Sequence, residues 1–262
     1  MTENAPRPPC TASLTEVPRL DDLVKRDKDH DCDGFGASKI CVRVEAVADL
    51  PTRFGRFRIV AFWNNRDGKE HIALVHGDVL GAENVVTRLH SECLTGDALG
   101  SLRCDCRDQL GAGLERLARE PRGILLYLRQ EGRGIGLLNK IRAYSLQDAG
   151  LDTVDANLAL VFRDDERDYA VAAHMLASLT VKSVSVLTNN PRKVAQLEKN
   201  GIRVVDRIPH VIPANDHNRF YLETKANRSG HFIDFEGKAH VPEQDDSVVV
   251  EANGKDPPAS VT

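Results

Sequence analysis

The order of strands and helices along the second half of the chain is the feature that most constrains its fold. Apolar residues recur there at helical spacing in some segments and form short apolar runs in others. The predicted helices are residues 108–120, 137–150 and 169–180, and the predicted strands are residues 123–128, 183–187 and 202–208. A fourth helix is predicted after Asn190, a favourable N-cap that Pro191 follows, and Gly201 stands just past its end. Because strands alternating with helices usually pair in parallel, we predict an α/β layer with substantial parallel pairing.

The first half of the chain is rich in predicted β-structure. Residues 54–63 alternate in part between apolar and polar side chains and contain several aromatic residues, a pattern typical of a strand. Residues 71–79 and 84–89 are further predicted strands, with turns at Gly68 and Gly81. The predicted fold class is therefore α/β, with a β-rich N-terminal part followed by an alternating strand–helix layer.

The two ends of the chain differ in composition from its middle. Residues 1–38 are polar and contain four prolines and an acidic run, and residues 241–262 are similarly poor in apolar side chains. Such segments bury too little apolar surface to fold alone. We predict a flexible or loosely attached N-terminal extension (1–38), one folded domain (39–240) and a disordered C-terminal tail (241–262).

The overall composition excludes several classes of protein. A net charge of −4 and a pI near 6.1 give no general attraction for nucleic acid. No apolar run reaches the 18 or more residues of a membrane span, and the N-terminus lacks the charged and apolar regions of a signal peptide. We therefore expect no nucleic-acid partner, no membrane association and a cytoplasmic location.

Three of the six cysteines lie within fourteen residues, as Cys93, Cys104 and Cys106. Three thiolates are one ligand short of a closed tetrahedral zinc site, and an open fourth position distinguishes catalytic from structural zinc. A disulfide is disfavoured, because residues 104 and 106 point to the same face of an extended segment. From the spacing alone, a structural site of three cysteines and His90 remains an equal alternative to a catalytic metal.

Three further segments carry charged or glycine-rich patterns. Residues 129–136 follow a predicted strand and open a helix, so that their backbone N–H groups could bind an anion; the spacing fits neither a dinucleotide fingerprint nor a P-loop. A glycine-rich turn with solvated arginines is an equal alternative. The charged run 164–168 follows the apolar residues 158–162, which places it at a strand-to-helix junction, where active-site groups gather, although such runs are more often solvated. Residues 187–193 join a strand end to a helix N-terminus and carry two cations.

Together these segments resemble the family of GTP cyclohydrolase II. The resemblance covers roughly residues 44–232, and the segments that carry it are His-Ser-Glu-Cys-Leu-Thr-Gly-Asp (90–97), Ser-Leu-Arg-Cys-Asp-Cys (101–106), Arg-Gln-Glu-Gly-Arg (129–133), Gly-Leu-Leu-Asn-Lys-Ile-Arg-Ala-Tyr (136–144), Asp-Glu-Arg-Asp (165–168) and Leu-Thr-Asn-Asn-Pro (187–191). The resemblance implies a Zn²⁺- and Mg²⁺-dependent hydrolysis of GTP. Its products are formate, pyrophosphate and 2,5-diamino-6-ribosylamino-4(3H)-pyrimidinone 5′-phosphate, in the first step of riboflavin biosynthesis.

The same resemblance implies roles for individual residues. Cys93, Cys104 and Cys106 fall on the zinc ligands, Asp165 on the proton acceptor, Arg167 on the proposed nucleophile and Tyr144 on a catalytic-site tyrosine. The positions that contact GTP are Arg88, Leu89, His90, Ser91, Glu92, Gln109, Glu131, Gly132, Arg133, Thr153, Thr188 and Lys193. The resemblance also implies a homodimer.

Several alternatives stay open at this point. Arg167 is either a covalent nucleophile assisted by Asp165 or an electrostatic clamp, since a guanidinium is nearly always protonated. Val161 stands where we expect glycine in the family, so a relative that opens the GTP imidazole ring for a specialised pathway is an alternative. The segment before residue 44 is too short for the extra domain of some relatives, which acts on ribulose 5-phosphate, so we expect a single activity. From other classes, the alternatives are a zinc nucleobase deaminase, which lacks its Pro-Cys-x-x-Cys here, and a zinc-stabilised nucleic-acid-binding module.

Overall fold

A seven-stranded mixed sheet forms the centre of the protein, with the strand order β1-β2-β3-β5-β4-β6-β7. The computed structural model describes residues 19–28, 30, 34, 39–151, 153–162, 165–210 and 212. The strands are β1 (Val42–Thr52), β2 (Gly55–Asn64), β3 (His71–His76), β4 (Val85–Ser91), β5 (Gly123–Leu128), β6 (Ser183–Leu187) and β7 (Arg203–Ile208). The α-helices are α1 (Leu20–Asp27), α2 (Cys106–Arg119), α3 (Leu137–Asp148), α4 (Thr153–Ala159), α5 (Ala170–Ser178) and α6 (Pro191–Lys199).

The sheet changes from antiparallel to parallel at β5. Strands β1, β2, β3 and β5 pair antiparallel in that order, whereas β4 pairs in parallel with both β5 and β6, and β6 with β7. The carboxyl ends of β4, β5 and β6 therefore meet at one edge of the sheet. Ligands bind outside the carboxyl ends of parallel strands in open α/β sheets. The segments that follow these strands are the ones that the sequence singled out, beginning at Glu92, Arg129 and Thr188.

Helices cover both faces of this sheet. On one face, α1, α5 and α6 form the larger core; α5 is buried along nearly its whole length, which explains why it is apolar on all sides. On the other face, α2 packs Leu114 and Leu117 against Phe57 of β2 and Leu125 of β5. Strand β4 contributes to both layers, with Leu89 in the larger core and Arg88 against the α2 side, where it contacts Gly113. The sequence prediction of an α/β fold with a β-rich first part is confirmed.

The structure corrects one sequence interpretation and adds elements that the pattern missed. Residues 158–162 are not a strand, since Leu158 lies in α4 and the charged residues from Asp165 therefore lie between two helices. The apolar run misled because it is not buried: Leu158 is exposed and Val161 is 92% exposed. Val161 also has a φ of +65°, a conformation that is strained for a β-branched residue and natural for glycine. Strand β1 and helix α4 were not predicted.

Helix α1 lies inside the segment that composition predicts to be flexible or loosely attached. Leu23 is fully buried against the sheet, and the Asp27 carboxylate accepts a hydrogen bond of 2.8 Å from the backbone N–H of Val44. Arg26 pairs with Asp27 at 2.7 Å and donates to the backbone carbonyl of Ser178 at 3.0 Å. Residues 19–28 are thus packed onto β1 and α5. The predicted tail (241–262) lies outside the described residues, and the domain boundaries remain predictions.

None of the helices within the described ranges is both long enough and apolar enough to cross a lipid bilayer.

Candidate metal centre and anion pocket

The three clustered cysteines converge in the structure. Cys93 follows the end of β4, and Cys104 and Cys106 lead into helix α2, so that all three Sγ atoms lie within 4.8 Å of one another. The Sγ atoms of Cys93 and Cys104 are 3.6 Å apart. Three sulfurs bound tetrahedrally to zinc at about 2.3 Å would lie about 3.8 Å from each other. The donor set and its spacing therefore fit a zinc ion.

A glycine makes room for this arrangement. Gly96 lies in the single π-helical turn Leu94–Ala98, and its backbone N–H donates to the Cys93 sulfur at 3.3 Å. A Cβ at residue 96 would lie 2.7 Å from the Cys104 sulfur and 3.1 Å from the Cys93 sulfur. Only glycine leaves these sulfurs in place, which is a second sign that the turn is built around a metal.

The Asp97 side chain stabilises the turn that follows Cys93. Its carboxylate accepts hydrogen bonds from the Cys93 backbone N–H at 3.0 Å and from the Tyr127 hydroxyl at 2.9 Å. The Nε2 atom of His90 lies 3.0 Å from both oxygens of the same carboxylate. Burial lowers the pKa of His90 despite that carboxylate. His90 is therefore engaged with Asp97, and the metal-binding group found in the described part of the chain contains the three cysteines alone, which favours the open site over the closed one with His90.

The three cysteines line a cavity of about 330 Å³. Ten of its lining residues were predicted from the sequence: Ser91, Glu92, Cys93, Cys104, Cys106, Glu131, Gly132, Arg133, Tyr144 and Arg167. The others were not predicted: Arg103, Gln130, Ile135, Lys140, Ala143, Gln147, Asp148 and Leu151. The cavity thus joins a sulfur-rich end to a wall that carries carboxylates, guanidinium groups and a phenol.

The glycine-rich segment forms a tight turn at the edge of this cavity. Residues Glu131–Gly134 make a 3₁₀ turn in which Gly132 and Arg133 have φ angles of +62° and +58°. The carbonyl of Arg133 accepts a hydrogen bond from the Glu166 backbone N–H at 3.0 Å, and a Cβ at Gly134 would lie 3.0 Å from the Glu166 backbone. The turn therefore holds the Asp165–Arg167 segment against the cavity.

Asp165 and Arg167 form a two-pronged ion pair. The Nε and Nη2 atoms of Arg167 donate to the two Asp165 oxygens at 2.8 and 2.7 Å, and Arg192 lies 3.4 Å from the same carboxylate. Burial alone would raise the pKa of Asp165, but the hydrogen bonds and charge of Arg167 outweigh burial and lower it. Asp165 is therefore ionised at neutral pH, and its partner Arg167 lines the cavity.

The remaining predicted residues are not among those that line the cavity. Arg88 is buried and donates to the Leu187 carbonyl at 3.2 Å and to the Gln109 side chain at 2.8 Å. Burial lowers its pKa to about 10. Lys193 donates to the Leu89 carbonyl at 2.7 Å, and Thr188 is buried in the loop that follows β6. Thr153 begins helix α4, and its side chain lies outside the described residues.

Lys140 is one of the eight lining residues that sequence reasoning missed, and it contacts the Cys93 sulfur. Its ammonium donates to the Glu131 carboxylate at 2.8 Å, to the Thr95 hydroxyl at 2.9 Å and to the Cys93 sulfur at 3.0 Å. Burial would lower the pKa of Lys140, but the hydrogen bond to Glu131 and the charge of Cys93 raise it, so the ammonium stays charged. The signal that could have found it is its position one helical turn before Tyr144, whose hydroxyl lies 3.4 Å from the same Thr95 hydroxyl.

A three-sulfur group that could hold a metal ion, in a cavity with basic side chains suited to an anionic substrate, is typical of a metal-dependent enzyme. Comparison with known proteins makes this specific. Residues 42–209 match the sequence profile of GTP cyclohydrolase II, and the chain belongs to that family.

Curated relatives are similar to this chain over about three quarters of its length. A GTP cyclohydrolase-2 from Aeromonas hydrophila is 58% identical over 192 residues, which are 73% of this chain and 98% of the relative. A GTP cyclohydrolase-2 from Pseudomonas putida is 55% identical over 198 residues, 76% of this chain and 97% of the relative. The riboflavin biosynthesis protein RibBA of Bacillus subtilis is 53% identical over 195 residues, 74% of this chain and 49% of that longer protein.

Proposed function

We propose that this chain catalyses the GTP cyclohydrolase II reaction and so performs the first step of riboflavin biosynthesis. GTP and water yield formate, pyrophosphate and 2,5-diamino-6-ribosylamino-4(3H)-pyrimidinone 5′-phosphate. The observation that carries the proposal is the placement of the three cysteines and Arg167 in the wall of one cavity. Both halves of the reaction, ring opening and loss of pyrophosphate, then have suitable side chains within reach of one bound nucleotide.

Ring opening belongs to the cysteine end of the cavity. Cys93, Cys104 and Cys106 would hold one zinc ion, which supplies a nucleophilic water at neutral pH when it is bound. Tyr144 and Thr95 lie at this end, and a neutral phenol can donate a hydrogen bond to guanine or to a developing oxyanion. Burial raises the pKa of Tyr144, which keeps the phenol protonated.

Loss of pyrophosphate belongs to the end that carries arginine. Arg133 and Arg167 line the cavity and offer guanidinium groups suited to phosphate oxygens, and Mg²⁺ bound with the triphosphate would neutralise further charge. Asp165 holds Arg167 through two hydrogen bonds, as either proposed role of Arg167 requires. As nucleophile, Arg167 would pass a proton to Asp165; as clamp, it would stabilise charge on the leaving pyrophosphate.

The proposal also covers the oligomeric state, the cellular location and the partners of the enzyme. The family resemblance implies a homodimer, and exposed apolar side chains near the start of α3, namely Leu137, Leu138 and Ile141, are surfaces that a partner subunit could cover. Three thiolates must stay reduced to hold a metal, which supports a cytoplasmic location. The net charge of −4 supports the expectation of no nucleic-acid partner.

Incubation of the purified protein with GTP, Zn²⁺ and Mg²⁺ tests the proposal, with formate, ammonia and pyrophosphate assayed separately. We expect formate and pyrophosphate, and about one zinc per chain. Release of ammonia instead of formate would identify a deaminase and contradict the proposal. Complementation of a riboflavin-requiring strain that lacks GTP cyclohydrolase II tests the pathway separately from the chemistry.

Two substitutions assign the two ends of the cavity. Cys104→Ser should lose zinc and formate release, whereas Cys41→Ala, at a buried cysteine outside the cluster, should retain both. Arg167→Ala should abolish pyrophosphate release. Intact-protein mass spectrometry of the quenched parent enzyme then separates the two roles of Arg167, since only a nucleophile forms a covalent guanylyl adduct.

A further inference from the structure

Lys140 connects the two loops that form the cysteine end of the cavity. It lies in the first turn of α3 and is 8% exposed. Its ammonium donates to Cys93 and Thr95 of the loop after β4 and to Glu131 of the loop after β5. Between these loops, the other Glu131 oxygen accepts a hydrogen bond of 2.6 Å from the Leu94 backbone N–H. The sulfur, the carboxylate and the ammonium thus form one buried, mutually hydrogen-bonded group.

The Lys140 ammonium offsets part of the negative charge that this group would carry with a zinc ion bound. Zn²⁺ with three thiolates carries a net charge of −1, and the Glu131 carboxylate adds another negative charge beside it. Like charges that close repel strongly away from bulk water. The Lys140 ammonium lies about 3 Å from both groups, so it offsets their repulsion and fixes the direction of each. Leaving such a group without its partner is costly in a buried site.

A hydrogen bond to a metal-bound sulfur also changes the metal. A thiolate that accepts a hydrogen bond from a cation gives less of its electron density to the metal ion. Of the three cysteine sulfurs, Cys93 accepts this bond, and it also accepts one from the Gly96 backbone N–H. The metal would therefore stay a better electron acceptor than three unmodified thiolates allow.

We propose that Lys140 is a positioning residue of the metal centre: it fixes the Cys93 sulfur relative to the Glu131 carboxylate and weakens electron donation from that sulfur. The inference rests on the proposed metal site and adds a residue to which the family resemblance gives no role. Lys140 acts through Cys93 and Glu131 rather than on GTP itself.

Cobalt substitution tests this inference without reference to turnover. In the Co²⁺-loaded protein, Lys140→Met should move the thiolate-to-cobalt charge-transfer band to lower energy, because a sulfur without its cationic donor is easier to oxidise. Zinc affinity, measured by competition with a chromophoric chelator, should fall about tenfold or more, the usual loss for such outer partners. Lys140→Arg keeps a charged donor and should restore part of both. Lys199→Met, at an exposed lysine in the last turn of α6, is the matched control and should match the parent.

A second substitution should shift the charge-transfer band in the opposite direction. Glu131→Gln has nearly the same shape and removes the competing negative charge, so Lys140 should interact more strongly with Cys93 and the band should move to higher energy. This variant carries the test if circular dichroism shows that Lys140→Met does not fold. A merely structural Lys140 would change the melting temperature and leave the band in place, which would overturn the inference. A parent protein without any thiolate-to-cobalt band would instead refute the proposed metal site.

Discussion

At the scale of single residues, Tyr144 lies beside the cysteines in the wall of the cavity. Its ring lies 4.7 Å from the Arg103 guanidinium, and its hydroxyl lies 3.4 Å from Thr95 beside the cysteines. A tyrosine seen in isolation is usually a packing residue with its hydroxyl at the surface. Here Tyr144 lines the cavity in which, under the proposed function, the purine ring is opened.

Replacing Tyr144 with phenylalanine keeps the ring and removes only the hydrogen-bond donor. We expect formate release to slow by about 10²–10³, the usual cost of losing one donor to a developing oxyanion, with pyrophosphate release less affected. Mass spectrometry of the quenched reaction should detect a formylated pyrimidine. Unchanged rates of both products would return Tyr144 to a packing role.

Buried histidines should make the stability of the protein depend on pH. Burial lowers the pKa of His174, and it lowers the pKa of His210 to about 3. Below the ordinary histidine pKa of about 6.5, these histidines bind protons in the unfolded chain but not when they are buried in the folded protein. The free energy of unfolding therefore decreases as the pH falls from about 7 toward 5.

Replacing His174 with glutamine tests this at one site. Between pH 6.5 and pH 5.5, the free energy of unfolding measured in urea should fall by up to about 1 kcal/mol less in His174→Gln than in the parent protein, because the variant has one histidine fewer that binds a proton on unfolding. An identical pH dependence in the two proteins would mean that His174 has the same pKa in the folded and unfolded states.

At the scale of elements, the π-helical turn Leu94–Ala98 shapes the candidate metal site. It folds the chain back so that Cys93 meets the two cysteines at the start of α2, and the Cys93 carbonyl accepts a hydrogen bond from the Asp97 backbone N–H at 2.6 Å. Such turns are rare and often occur at functional sites. Gly96 at its centre has no room for a side chain.

Adding one methyl group to this turn should therefore displace the sulfurs. Gly96→Ala would place a Cβ 2.7 Å from the Cys104 sulfur, and we expect weaker zinc binding and loss of formate release although every ligand remains. Gly111→Ala in α2 is the matched control: its Cβ would lie 3.5 Å from Phe54, an ordinary contact, and alanine favours the helix. Zinc content by atomic absorption separates the two, and full zinc occupancy in Gly96→Ala would contradict a tight fit.

At the scale of the whole molecule, the N-terminal helix belongs to the fold. The buried side chain of Leu23 joins α1 to the larger core, which also contains residues of β1 and α5. Removing a buried leucine side chain typically costs about 2–5 kcal/mol. The free energy of unfolding should therefore depend on α1, although the composition of residues 1–38 alone does not predict a packed helix.

Three deletions show which terminal segment contributes to the free energy of unfolding. Deleting residues 1–38 removes α1 and should lower the free energy of unfolding by at least about 2 kcal/mol. Deleting residues 1–18 keeps α1 and should leave stability near that of the parent, as should deletion of residues 241–262. Denaturant unfolding of the three proteins measures the differences. Equal stability of the 1–18 and 1–38 deletions would contradict the role of α1.

The chemistry of the site and most of its elements follow from the sequence by itself. Apolar periodicity reports which face of a segment is buried, so helices such as α2 and strands such as β5 could be predicted within a few residues. The spacing of the cysteines indicated a metal ligand set, and the structure brings the three sulfurs together. Periodicity does not report the partner of a buried face, which is why the apolar residues 158–162 were misread and the packing of α1 was missed.

The tertiary structure decided which of these groups meet. In the sheet, β5 lies next to β3, and β4 lies between β5 and β6. This order places the loops after β4 and β5 side by side. Only then do the Cys93 sulfur and the Glu131 carboxylate, 47 and 9 residues from Lys140 in the chain, both come within 3.0 Å of the Lys140 ammonium. Contacts between such distant residues depend on strand order and sheet register, which local sequence patterns do not encode.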